Sequence, residues 1–229
     1  MSGIIGSRLL VIGAHPDDEV LGCGGTIATN AKKGGHTTVL IATEGSGAQN
    51  NYNPELMKRR HNQLMKCSEI LGAQKVFHWD YPDMELETVP HLKLNAALQS
   101  FIQEGGYEYV FVHHPYDLNR DHQVLFRSVS VACRPTPGST VNGLLAYHVN
   151  SSTDWSMASA AERFVPNVYI DISDFLEIKL KALAVYEEEA FDYPHPRSIE
   201  AVRDRARVFG SEVGLHAAEG YNLVFWREK

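Results

Sequence analysis

The chain has 229 residues, enough for one large domain rather than several. Hydrophobic residues make up 44% and charged residues 21%, a globular balance that excludes intrinsic disorder and fibrous repeats. With 21 Lys and Arg against 28 Asp and Glu, the net charge of −7 gives little pull on nucleic acid or an anionic membrane.

No run of about eighteen apolar residues reads as a transmembrane helix. The N-terminal apolar run is short and ends in acids, unlike a signal peptide. Three widely spaced cysteines, Cys23, Cys67 and Cys133, argue against a disulfide framework and fit a reducing, cytoplasmic setting.

Arg8–Ile12 reads as a buried strand, Gly22–Gly25 as a glycine-rich turn and Thr26–Lys33 as the first helix, ended by Gly34–Gly35. Thr37–Ala42 is β-branched and predicts a second strand. Glu44–Asn53 is a polar loop. Pro54–Leu71 carries apolar residues at helical spacing and is capped by Gly72. Lys75–His78 is a third strand, Trp79–Thr88 a loop, Val89–Glu104 a helix and Tyr109–His113 a fourth strand. Arg120–Cys133 is helical until the prolines of Arg134–Ser139 break it. Strands follow at Gly143–Asn150 and Val168–Ile172, a long helix at Ser173–Glu189, a last helix at Ser198–Glu212 and a closing strand at Tyr221–Trp226. Strand and helix alternate through the first 133 residues. That order predicts one α/β domain, a Rossmann-like and mostly parallel sheet with helices on both faces.

The chemistry concentrates in Ala14-His15-Pro16-Asp17-Asp18-Glu19, directly after the first strand, where open parallel sheets place their ligands. A phosphate site is disfavoured. Gly22, Gly24 and Gly25 miss the G-x-G-x-x-G spacing, and three acids stand where a pyrophosphate would have to sit. Acids are at home near a helix N-terminus, but that does not account for His15 or Pro16. His15 and Asp18, at i and i+3, can converge on a metal ion. A third ligand would come from the histidine-rich segment 113–122, which follows the fourth strand on the same sheet edge. Two imidazoles and one carboxylate suit catalytic Zn²⁺ and also non-haem iron.

AHPDDE followed by GCGGTIA resembles the PIG-L/LmbE-like zinc-dependent de-N-acetylases, which deacetylate N-acetylglucosamine-type amino sugars. Further matches are Thr43–Gly47, the Arg60…Gln63…Cys67…Leu71-Gly72 helix, Tyr81-Pro82-Asp83, and Pro115-x-Asp117-x-Asn119-x-Asp121-His122. Ser151–Trp155, Pro166-Asn167-Val168 and Pro194–Ser198 fit too. The resemblance implies a single domain over residues 1–229, one Zn²⁺ on His15, Asp18 and His122, and Asp17 as general base. Gln63 stands where Glu is common, and Asn119 where many members have a histidine. His195, His113 and His114 are candidates for that histidine's role, and His195 is placed near the leaving amine.

Arg60 is expected to contact substrate or oxyanion, with Asp83 and Asn119 as further substrate contacts and Asp121 orienting His122. Arg197 lies in one of the matching segments without a role of its own. The implied partner is an N-acetylated amino sugar, and the implied assembly a homo-oligomer, a trimer or hexamer. The apolar and aromatic residues of Trp79–Val89 are read as suited to a subunit interface, with Asp83 reaching a neighbour's pocket. The alternative enzyme is a metal-dependent amidase of a thiol-sugar conjugate of the mycothiol or bacillithiol type.

Overall fold

A computed structural model describes residues 3–45, 53–157, 159–189 and 191–228. The alternation read from the sequence forms β1 (Arg8–Gly13), α1 (Asp18–Lys32), β2 (His36–Thr43), α2 (Pro54–Leu71), β3 (Lys75–Tyr81), α3 (His91–Gly105), β4 (Tyr109–His113) and α4 (Arg120–Ala132). There follow β5 (Gly143–Tyr147), β6 (Val168–Asp171), α5 (Leu176–Leu183), α6 (Ile199–Glu212) and β7 (Ala218–Trp226). Segment Thr43–Gly47 and loop Glu44–Asn53 fall partly outside the described residues.

The seven strands form one sheet in the order β3-β2-β1-β4-β5-β7-β6. The first five run parallel, and β7 is antiparallel to both β5 and β6. Strand order reverses between β1 and β4, so the loops leaving these two strands flank the crevice where such sheets bind ligands. Two cores result from the two-residue period of the strands. Leu9, Val11, Val39 and Ile41 face α1, α2, α5 and α6, while Leu10, Ile12, Leu40 and Ala42 face α3 and α4.

Two expectations are corrected. Gly22–Gly25 is not a turn, because α1 already begins at Asp18 and runs through it. The glycines there admit close neighbours. A Cβ on Gly22 would stand 2.3 Å from the Tyr147 ring, and one on Gly25 would stand 2.5 Å from Ile172. Gly22→Ala should therefore lower stability by about 1–3 kcal/mol, the cost of overpacking a filled core, read as a lower midpoint in thermal unfolding.

The helix expected over Ser173–Glu189 is shorter at both ends. Ser173 hydrogen-bonds Asp171 and the Ala217 backbone instead of capping the helix. At the other end, Glu187, Glu188 and Glu189 oppose the negative pole of a helix C-terminus and form a separate 3₁₀ turn. Within 79–89, Leu86 is fully buried and Trp79 and Tyr81 pack on the second core, while Met84 remains exposed.

Candidate active site

The turn after β1 is held by its own acids. The Asp18 carboxylate accepts the N–H groups of Ala14 (3.0 Å) and His15 (2.8 Å). Glu19 accepts the Asp17 N–H at 3.0 Å and is held in turn by the Tyr186 hydroxyl at 2.7 Å. Asp17 consequently sits at φ 124°, a conformation few non-glycine residues adopt. Gly45, at φ +74°, passes so close to Pro16 that a Cβ would lie 2.9 Å from its ring. The strain of this turn coincides with the residues that carry the chemistry.

Three predicted ligands converge. His15 Nδ1 and His122 Nε2 are 3.3 Å apart, and the Asp18 carboxylate lies 3.5 Å from the first and 3.4 Å from the second. Donors about 2.0–2.2 Å from one tetrahedral ion stand roughly 3.4 Å apart, so the set fits a small divalent cation. Asp18 Oδ1 is buried without a hydrogen-bond partner, as befits an oxygen reserved for an ion.

Each imidazole turns its other nitrogen to a carboxylate, which fixes ring orientation and tautomer as at known metal sites. His122 Nδ1 lies 3.1 Å from Asp117 Oδ1. His15 Nε2 lies 3.0 Å from Asp83 and 3.2 Å from Asp121. Asp121 therefore orients His15, not His122. It also accepts the Met84 and Leu86 N–H groups, tying the loop after β3 to the site. Asp117, gripped by Thr153 and Ser152, orients His122 and gives the Ser151–Trp155 segment a function. Asp117→Asn should weaken metal affinity about 10- to 100-fold, measured by competition with a chelator.

Electrostatics follow from burial among carboxylates. Against the opposing effect of burial, Asp18 and Asp117 raise His122 to about 9. Burial pushes His113 down to about 4 and Asp17 up to about 7, although Arg197 draws Asp17 back. His113 stacks on His122 with centroids 3.8 Å apart and places Nε2 2.9 Å from Asp18 Oδ2. It is a buried support for a ligand. His114 turns away to the Glu162 carbonyl, into a different cleft.

The cluster of His15, Asp18 and His122 opens through His15 on a cleft of about 260 Å³, lined by His15, Asp17, Arg60, Asp83, Asn119, Glu189 and Arg197 among others. Arg60 and Asn119, expected as substrate contacts, both line this cleft. Asn119 also caps α4, its side chain accepting the Asp121 N–H. Asp83 lines the cleft of its own chain and contacts His15.

His195 is not among the lining residues. Its ring packs against Phe191 (4.1 Å) and edge-on to Trp155 (5.2 Å), and its Nδ1 accepts the Arg197 N–H. Two residues given no role from the sequence take its place. Arg197 donates to Asp17 at 2.8 Å and to Glu189 at 2.7 Å, and Glu189 also pairs with Arg60. The Pro194–Ser198 segment was the available signal for Arg197, and nothing in the sequence singled out Glu189.

The chain is 29% identical to YaiS of Escherichia coli, an uncharacterised deacetylase, over 76% of this chain and 88% of that one. It is 27% identical to the diacetylchitobiose deacetylase of Thermococcus kodakarensis, over 95% of this chain and 83% of the relative. The crystal structure of the conserved protein TT1542 from Thermus thermophilus superposes with a TM-score of 0.76 at 25% identity, covering 96% of each chain. Residues 10–133, more than half of the chain and carrying all three converging ligands, match the PIG-L family, described as GlcNAc-PI de-N-acetylase. On this match the chain belongs to the PIG-L deacetylase family.

Proposed function

We propose that the chain is a zinc-dependent de-N-acetylase that hydrolyses the acetamide of an N-acetylglucosamine-type amino sugar. The observation that carries this reading is the juxtaposition of His15, Asp18 and His122 with a carboxylate, Asp17, that faces the same cleft without joining them. Metal binding alone requires no such spare base. The diacetylchitobiose deacetylase of Thermococcus kodakarensis, similar over nearly the whole chain, supports the sugar as substrate.

A divalent ion held by His15, Asp18 and His122 would supply Lewis acidity, lowering the pKa of a water toward about 7 and polarising the amide carbonyl. Asp17 accepts the proton of the attacking water and returns it to the departing amine. Arg197 keeps the Asp17 carboxylate aimed into the cleft. Arg60, which also lines the cleft, faces the developing oxyanion, and Asn119 and Asp83 contact sugar hydroxyls. His195 acts through Arg197, whose turn it fixes.

The test is acetate release by the zinc-loaded protein across N-acetylglucosamine, N,N'-diacetylchitobiose and thiol-sugar conjugates. Release from the acetyl sugars supports the reading. Cleavage confined to thiol-sugar amides would overturn it in favour of a conjugate amidase. The proposed cytoplasmic setting rests on three buried, free thiols. Among the described residues no helix is long and apolar enough to cross a membrane. Association into trimers or hexamers is tested by light scattering, where the mass of a single chain would refute it.

A further inference from the structure

The acidic turn 187–189 is clamped onto α2 along one helical face. Arg59 Nε lies 2.7 Å from Glu188 Oε1, and Arg60 pairs with Glu189. Gln63 spends its amide on the same turn, donating to Glu188 at 2.9 Å and to the Val185 carbonyl at 3.1 Å. A glutamate at 63 would have no proton to give and would face the Glu188 carboxylate. Gln63 and the acidic turn therefore belong together. Tyr186, fully buried with its hydroxyl on Glu19, anchors the turn from inside.

The clamp presents Glu189 to the cleft as a bridge. One carboxylate oxygen pairs with Arg60 and the other accepts from Arg197 Nη1 at 2.7 Å, with both arginines more than four-fifths buried. Among the described residues lining the cleft, Arg60 and Arg197 are the two permanent cations. They face three carboxylates, Asp17, Asp83 and Glu189. A phosphate or carboxylate on the substrate would thus meet guanidiniums already paired, beside a fixed negative charge in a partly desolvated space.

We propose that Glu189 is a specificity-determining residue: it neutralises Arg60 and Arg197 so that the cleft accepts uncharged N-acetyl sugars and rejects anionic ones. The proposal rests on the amide-hydrolase reading above for its substrates, and on the Glu189 bridge for its selectivity.

The test compares N-acetylglucosamine with its 1-phosphate and 6-phosphate, using zinc-loaded wild type, Glu189→Gln and Glu189→Asp. Acetate release gives the ratio of kcat/KM values, and calorimetric titration gives the ratio of affinities without turnover. Wild type should favour the neutral sugar by at least about tenfold. Glu189→Gln, which keeps the shape and removes the charge, should reduce that preference by at least about tenfold, mainly through KM for the phosphosugars. Glu189→Asp should retain the wild-type preference. A merely structural role for Glu189 would lower activity on all sugars alike. An unchanged ratio in Glu189→Gln, or a wild-type preference for the phosphosugars, would overturn the proposal. Should no acetate be released from any sugar, the hydrolase reading fails, and the affinity ratio alone decides the charge selection.

Discussion

His122→Ala should yield a folded protein that has lost its metal and at least about 10²-fold in activity. Loss of one partner merely orienting a ligand costs 10- to 100-fold, so loss of the ligand itself should cost more. The ring is buried between His113 and the cleft, and its removal leaves Asp117 and Asp18 facing one another without a cation between them. Some destabilisation is expected from the cavity, on the order of 2–4 kcal/mol. Circular dichroism and elemental analysis on the same sample separate the two effects. Full metal occupancy in the variant would remove His122 from the ligand set.

Asp17→Asn should behave in the opposite way, keeping its metal while kcat falls by about 10²–10⁴, the usual contribution of a positioned base. Asparagine is the informative replacement. It tolerates the positive φ of this position nearly as well as aspartate, and its carbonyl oxygen can still accept from Arg197. Shape and turn geometry are thereby preserved while the proton acceptor is lost. Turnover near wild type with metal bound would show that the base lies elsewhere.

Most of the sheet was legible because β1 to β5 are short apolar runs separated by helical periods, and that pattern admits few topologies. The start of α1 was not. Glycine reads as a turn former, whereas Gly22 and Gly25 are small because Tyr147 and Ile172, more than a hundred residues away in sequence, press against them. The end of α5 is hidden because apolar spacing continues past Leu183, while two of the three consecutive glutamates beyond it, Glu188 and Glu189, gain their partners on α2.

Within the site, residue type and strand-end position pointed to His15, Asp18 and the segment 113–122, and the family resemblance singled out His122 within that segment. The supports of these residues could not be read in this way. Sequence adjacency favoured Asp121 as the partner of His122, but neighbouring residues on a helix project about 100° apart, and Asp121 reaches His15 instead. Asp117, in the loop before the helix, lies on the correct side of the ring. The Arg197–Asp17 pair spans 180 positions and the Arg60–Glu189 pair 129, separations over which residue type carries no pairing information.

Titration of metal-depleted protein with Zn²⁺, following acetate release from the best acetyl-sugar substrate, tests the central claim most directly. If His15, Asp18 and His122 hold the ion that activity requires, acetate release should be negligible at the start. It should then rise in proportion to added zinc and level off at one equivalent per chain. Undiminished acetate release from protein shown to be free of metal would contradict the account.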